Sequence, residues 1–433
     1  MTGEAGGAEA GVPVAARKPP AFAALRLPGY RAHFATYVLA MMADNIEHVI
    51  SYWVAFQKFH SPALGGFAVL SHWIPYLAFS VWVGGLNDRF DSRRIIQAGM
   101  VLFITASLGW GYFFVTGTLS VGDAMALLVL HGCAGVLWQT SSQMLLHDIV
   151  GPELLPSAVR LNATGRYLGT LVGPAVGGLI MLTLGPRRGI FLNTAFYLPL
   201  LFWLWRAPYG RHFRGDKAPP RRAVRGWQDV RATIGEVRGL PVIGAMIALA
   251  GGASFFIGNS YQAQMPGFAH DLGHGDPGTA YSALLAADAA GALVAGFLLE
   301  SRGGLLPTSV TSAFRLATFW AAALVGFGLV RSYAVALPLL ATAGFFELSF
   351  SSMAMTLVQV HAPTATRGRV LGLYNMASLG LRAFSGITVG LVGSLIGIHA
   401  SLAIAAGVFG VLVVWGRRRR TVAEAPASAT PAP

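Results

Sequence analysis

The sequence predicts an all-α integral membrane protein with twelve transmembrane helices in two pseudo-symmetric six-helix bundles. Three observations predict it. Of the 433 residues, 54% are hydrophobic and only 11% are charged, against roughly 25% charged in soluble domains. Apolar runs of about 20 residues, the length that crosses a bilayer as a helix, recur along the whole chain. The chain also repeats itself at an offset of 212 residues: Gly84-x-x-x-Asp88-Arg89 returns as Gly296-x-x-x-Glu300-Ser-Arg302, and Gly178 returns as Gly390. Two halves joined by a linker are what a duplicated membrane domain leaves in sequence.

The elements follow in order. Residues 1–31 are rich in Ala, Gly and Pro and are expected to be a disordered cytoplasmic tail. They lack the apolar core and small-residue cleavage site of a signal peptide. Apolar runs at 34–56, 63–82, 95–114, 124–147, 157–182 and 190–205 make the first bundle, 32–205. Residues 206–240 carry nine Arg or Lys from Arg206 to Arg238, so this linker belongs in the cytoplasm against anionic headgroups. Runs at 242–264, 281–299, 309–329, 334–360, 370–396 and 399–415 make the second bundle, 241–415. The tail 416–433 opens on Arg417–Arg420 and is cytoplasmic by the same rule, which places both termini inside.

The formal charge of +13 does not indicate nucleic acid. The basic residues sit in short links beside apolar spans, where they orient the chain against the bilayer. Cys133 is the sole cysteine, which rules out an intramolecular disulfide and a Cys-rich metal site. No Gly-rich phosphate loop with a following Lys-Ser/Thr is present, so ATP does not drive the protein. No nucleophile–base pair is apparent, which argues against an enzyme. No cofactor is expected.

The polar residues inside the spans are the candidate site, because such groups are costly there. Asp44, Glu47 and His48 stand at i, i+3 and i+4 on one face of the first span. The fourth span carries Gln139 and Gln143, the seventh Asn259 and Gln262, the eighth Asp288, the tenth Glu347 and the eleventh Arg382. Structural pairing is the alternative, with Arg382 neutralising Glu347 or Asp288, or His48 bonded to Glu47. His72, His131, Arg166 and Arg315 are weaker candidates, the two arginines being placed to snorkel. A metal site is not expected. Glu47 and His48 are adjacent and cannot both ligate one ion on a regular helix, and nothing in the sequence fixes another His beside them.

Two motifs are more specific. The link at 84–94 reads GGLNDRFDSRR and carries Gly84, Asp88, Arg89 and Arg93 between two spans. The fifth span holds Gly169-x-x-x-Gly173-Pro174-x-x-Gly177-Gly178. Its glycines four apart share a face that admits a neighbouring helix closely, and Pro174 removes a backbone donor and bends the helix. The first motif resembles the loop signature of the major facilitator superfamily of secondary transporters. It departs from it where Asp91 stands for Gly and Ser92 for Arg. The second fits a pattern associated in that superfamily with proton-exchanging exporters. Over about 32–415 the chain is most similar to the enterobactin-exporter and macrolide-efflux-like branch.

The resemblance implies a monomer in the bacterial cytoplasmic membrane that moves a small molecule by alternating access and exchanges it for protons. It places the first, fourth, seventh and tenth helices around a central cavity. It also implies that Asp88 latches onto the N-terminus of the eleventh helix, with Arg89 and Arg93 adding charged contacts. The cavity set is mostly acidic and amide-bearing, which favours a cationic or hydroxylated substrate. A proton-coupled importer and a non-transporting receptor or assembly factor are the other readings.

Overall fold

The computed structural model describes residues 20–59, 62–213, 226–273, 280–301 and 306–424. The outer parts of both expected tails and the middle of the linker, 214–225, lie outside these. The described chain is helical, with no strand among the described residues. In order the helices are α1 (Pro28–Phe59), α2 (Pro62–Arg89), α3 (Ser92–Thr116), α4 (Val121–Arg206), α5 (Trp227–Arg238), α6 (Pro241–Phe256), α7 (Ser260–Ala263), α8 (Met265–Asp271), α9 (Ala280–Ser301), α10 (Val310–Leu329), α11 (Tyr333–His361), α12 (Arg367–Asn375), α13 (Arg382–Ser385), α14 (Val392–Ile396) and α15 (Ile398–Glu424).

Among the described residues, nine stretches are long and apolar enough to span a bilayer. The difference from the twelve expected has two physical sources. The first is that α4 is 86 residues long, far more than one pass needs. Its backbone leaves helical geometry at Gly151 (φ 71°, ψ 175°) and Gly185 (φ 74°, ψ 165°). Each glycine precedes a proline, Pro152 or Pro186. Proline bars the residue before it from the α region, glycine accepts the positive φ that remains, and proline then opens the next helix. Thus α4 turns back twice, giving segments 121–150, 152–184 and 186–206. The second source is α1, which is long enough at 32 residues but carries the buried charges Asp44 and Glu47.

Local chemistry sets the other ends. Asp91 caps α3 by accepting the Arg93 amide, and Gly117 ends that helix at φ 72°. Ser120 and Asp123 form a reciprocal capping box at the start of α4. The run expected at 242–264 is not one regular helix. It breaks at Gly258 (φ 49°), where a side chain would collide with Ser385, and continues through α7 and α8. The run at 370–396 is likewise interrupted by π-helical turns at Met376–Gly380 and Gly386–Leu391. Broken spans of this kind leave backbone groups free to line a cavity.

Part of the expected N-terminal tail, residues 20–31, is among the described residues and is structured. Ala23–Arg26 form a 3-10 turn, the Ala24 amide donates to Ser157 Oγ at 3.2 Å, and the fully buried Tyr30 donates to the Ala158 carbonyl at 3.0 Å. Within the linker, α5 is an amphipathic helix with Asp229, Val230, Thr233 and Val237 buried. The interior of each half is packed with bulky aromatics, among them Trp110, Trp138, Trp320 and Phe409. Leu182, Leu395, Val411 and Trp205 are between 68% and 88% exposed, an apolar exterior that only lipid can cover favourably.

Candidate functional site

The two halves meet in backbone contact at the end that bears Asp88. Gly84, Gly372 and Gly380 each face the opposite helix so closely that a Cβ would overlap it: Gly84 against the Gly368 carbonyl, Gly372 against Ser80, Gly380 against Leu77. This seam brings Asp88 to the start of α12. Its carboxylate accepts the Gly368 amide at 2.9 Å and the Arg369 amide at 3.3 Å, and the Arg369 guanidinium stands 3.8 Å away. Arg369 also reaches Asp229 of α5 at 3.2 Å, which ties the linker helix to the same corner.

The repeated motif makes a matching contact on the other side. Glu300 of α9 accepts Arg160 Nε at 2.6 Å and Ser157 Oγ at 2.6 Å, and a Cβ on Gly296 would overlap Thr164. Each half therefore presents a buried carboxylate to the other: Asp88 to the amides at the start of α12, Glu300 to the Ser157 and Arg160 side chains. The Asp88 charge is stabilised by the partial positive charge of the helix end, the Glu300 charge by the Arg160 guanidinium.

Arg93 behaves differently from what the resemblance implies. It pairs with Asp91 at 3.0 Å, donates to the Ala207 carbonyl at 2.6 Å and lies 4.6 Å from the Phe213 ring, so it ties the 84–94 link to the start of the linker that follows α4. Arg89 stacks on Phe90 at 5.2 Å. Asp91 needs no left-handed backbone, since its φ is −74°. Burial raises the Asp91 carboxyl, but hydrogen bonds from the Arg93 side chain and from the Arg93 and His212 amides outweigh this and hold it below the usual carboxylate range.

Inside the first half, Asp44, Glu47 and His48 gather around a residue the sequence ranked low. His131, only 3% exposed, contacts Asp44 Oδ1 through Nε2 and Glu47 Oε1 through Nδ1, both at 2.8 Å. Ser107 donates to the other Glu47 oxygen. The His48 ring lies 4.6 Å from His131 and 5.1 Å from His72. Nothing in the sequence fixes another His beside His48, but the fold delivers two, from α2 and α4.

In the second half, Asp288 and Glu347 share a donor. Tyr261 Oη is 3.2 Å from both Asp288 oxygens and 3.2 Å from Glu347 Oε2, and Gln262 donates to Asp288 at 2.8 Å. Arg382 forms no ion pair with either among the described residues. Its guanidinium lies 5.0 Å from the Trp73 ring, across the interface, and its Nε donates to the Ser378 carbonyl.

Between the halves lies a cavity lined by Tyr37, Gln139, Gln143 and Arg166 from the first half and by Glu347, Tyr374, Asn375 and Arg382 from the second. Gln143 bridges to Asn375 at 3.1 Å. Asp44, Glu47, His48, Asn259, Gln262 and Asp288 are not on its wall among the described residues. Arg166 is on the wall rather than snorkelling to an interface, while Arg315 is exposed on α10. The glycine stripe of segment 152–184 packs on α1: Gly169 against Met41, Gly173 against Asn45 and Gly177 against Ile46, whereas Gly178 faces open space. Pro174 sits between them inside the helix. The stripe seats α1 so that its other face turns Asp44 and Glu47 toward His131.

The profile of the transmembrane secretion effector family matches residues 20–430. The chain belongs to this family of the major facilitator superfamily. The enterobactin exporter of Shigella boydii serotype 18 is 27% identical over 339 residues, 77% of each chain. Two solved structures share the fold: the human organic anion transporter MFSD10 (TETRAN), TM-score 0.70 at 14% identity over 90% of this chain and 99% of that one, and a bacterial homologue of the iron transporter ferroportin in an outward-facing state, TM-score 0.69 at 15% identity over 90% and 100%. The protein is thus a multi-pass major facilitator transporter of the exporter branch, and its relatives are transporters rather than enzymes.

Within this major facilitator frame, sequence reasoning missed Tyr261 and Ser107 as site residues and undervalued His131, His72, Arg166 and Glu300. For His131 a signal existed, since an imidazole inside an apolar span needs buried partners. For Tyr261 none did, because a tyrosine beside Gln262 is unremarkable until α9 and α11 bring Asp288 and Glu347 to it.

Proposed function

We propose that this protein exports a small anionic or polyhydroxylated aromatic compound from the cytoplasm in exchange for protons, by alternating access. The observation that carries the reading is the cavity wall, where Arg166 and Arg382 face a space shared by both halves. Guanidinium groups recognise carboxylate, phenolate and similar oxyanions through paired hydrogen bonds. Tyr37, Tyr374 and Trp320 add faces on which an aromatic ring stacks, and Gln139, Gln143 and Asn375 suit hydroxyl groups. Of the cationic or hydroxylated substrate expected from sequence, this reading keeps the hydroxylated alternative and replaces the cationic one, because Asp44, Glu47 and Asp288, which supported it, are not among the residues lining the cavity. A relative named as an enterobactin exporter is in keeping with a hydroxylated, acidic cargo.

Coupling is assigned to Asp288 and Glu347. Both are held by one tyrosine hydroxyl, which has a single proton to donate. A further proton shared across the pair relieves the repulsion of like charges. Glu347 also lines the cavity: ionised, it accepts the hydroxyl donors of the cargo whose oxyanion the arginines hold, and protonation removes that acceptor, so proton and cargo exclude one another and are exchanged. With the basic links in the cytoplasm, the sealed Asp88 and Glu300 end is the cytoplasmic one, and the arrangement corresponds to an outward-facing transporter.

The test is binding to purified protein in nanodiscs. A catechol carboxylate should bind in wild type, and Arg166→Gln or Arg382→Gln should weaken it about 10–100-fold, since a hydrogen bond to a charged group contributes about 1.5–3 kcal/mol. Preference for a quaternary ammonium compound, unaffected by these substitutions, contradicts the proposal.

A further inference from the structure

His48, His72 and His131 come from three different helices, α1, α2 and segment 121–150 of α4, and one ligating atom from each lies within 4.8 Å of the others. None of the three lines the substrate cavity. His72 Nδ1 is buried and has no hydrogen-bond partner, and no described residue hydrogen-bonds His48. Burying a polar ring atom without a partner is unfavourable. Three rings gathered at one point, one with a buried nitrogen lacking a partner and a second with no hydrogen bond from a described residue, suit a common ligand.

The surroundings specify its charge. Asp44 and Glu47 lie against His131 with no arginine or lysine paired to either among the described residues. Two buried carboxylates whose only basic partner is a histidine are balanced by one divalent cation. The contacts also resemble a metal centre whose ion is replaced by a proton. Glu47 Oε1 stands 2.8 Å from His131 Nδ1 and is itself held by Ser107. A carboxylate accepting the far N–H of a ligating imidazole is the usual outer partner of a metal-bound histidine, fixing its tautomer and orientation. On the other side, Asp44 Oδ1 is 2.8 Å from His131 Nε2, so the proton between them occupies the place where a cation would draw on both.

We propose that His48, His72 and His131, with Asp44 as the fourth ligand and Glu47 orienting His131, form a binding site for a divalent first-row transition metal inside the first half, separate from the substrate cavity. Three imidazoles and one carboxylate suit Zn²⁺, Co²⁺ or Fe²⁺ and disfavour Mg²⁺ and Ca²⁺, which prefer oxygen. Metal–nitrogen bonds of about 2.0–2.1 Å put tetrahedral ligands about 3.3 Å apart, so the rings must close by about 1.5 Å. The ion would then staple α1, α2 and α4 and fix the polar face of α1.

The experiment titrates Co²⁺ into tag-free, chelator-treated protein in nanodiscs and follows visible absorption and thermal unfolding. One equivalent per chain should bind, with the intense visible band of a four-coordinate nitrogen–oxygen site and a raised unfolding temperature. His48→Gln and His72→Gln should each weaken binding at least tenfold, and Glu47→Gln about 10–100-fold. Glu347→Gln, which leaves this cluster intact, should bind like wild type. The proposal is overturned if wild type binds Co²⁺ no tighter than the His48→Gln/His72→Gln double variant, or if bound Co²⁺ shows only the weak spectrum of the hydrated ion. The outcome is independent of the substrate reading, because no organic compound enters the assay.

Discussion

Replacing Asp88 by Asn should open the sealed end. The carboxylate accepts two amides at the start of α12, at 2.9 and 3.3 Å. A carboxamide offers one oxygen, and its NH₂ group is turned against the second amide donor. The variant therefore loses one charge-assisted hydrogen bond and the charge that faces the helix end. Hydrogen bonds to charged groups contribute about 1.5–3 kcal/mol, and a partly buried charge at a helix terminus up to about 2 kcal/mol. These describe overlapping parts of one interaction, so the loss is about 2 kcal/mol rather than their sum. That shifts the closed-to-open ratio about 30-fold. Spin labels at Phe90 and Leu306, both exposed at this end, in a background lacking the single Cys133, report the separation of the halves by pulsed electron resonance. A second, longer distance should grow in Asp88→Asn. If both Asp88→Asn and Asp88→Ala leave the distance distribution of wild type, the latch argument is wrong.

Three further outcomes follow from the same geometry. Glu300→Gln should open the same end by a comparable amount, read with the same labels, since Glu300 makes the mirror contact to Ser157 and Arg160. Gly173→Val should lower thermal stability by about 1–3 kcal/mol, the usual cost of overpacking, because its Cβ position lies against Asn45 of α1, whereas Gly178→Val, facing open space, should be near neutral by thermal unfolding. Asp91→Ala removes the cap of α3, about 1 kcal/mol. Because folding depresses the Asp91 carboxyl, the wild-type advantage should be intact above about pH 4 and fade as pH falls through the folded value, as an unfolding series in pH shows.

What the sequence made legible was whatever depends on length, hydropathy and local pattern. The broken α4 was readable as separate spans because Gly151-Pro152 and Gly185-Pro186 interrupt the apolar runs. The link at 84–94 was readable because its charges cannot enter lipid. The internal repeat pointed to Glu300 before its partners were visible. What escaped was pairing across the bundle. Asp44, Glu47 and His48 share a helical face, which the sequence does show. That they meet His131 depends on the rotation of α4 against α1, which the seating of the glycine stripe on α1 helps to fix. The cavity wall was misjudged for the same reason. An intramembrane carboxylate in sequence does not say whether it faces a cavity, as Glu347 does, or a buried tyrosine, as Asp288 does. The ordered turn at Ala23–Arg26 was hidden because an Ala-rich stretch looks disordered until Ser157 supplies a partner for its amide.

The central claim is proton-driven export through a cavity lined by Glu347, Arg166 and Arg382, and flux in proteoliposomes tests it most directly. With protein inserted in both orientations and a catechol carboxylate outside, an acid-inside pH gradient should drive accumulation and an accompanying loss of internal protons. Glu347→Gln should abolish the proton movement, and Arg382→Gln the uptake, while both variants remain folded by thermal unfolding. Accumulation that is indifferent to the pH gradient, or full proton-coupled uptake in Glu347→Gln, would contradict the account.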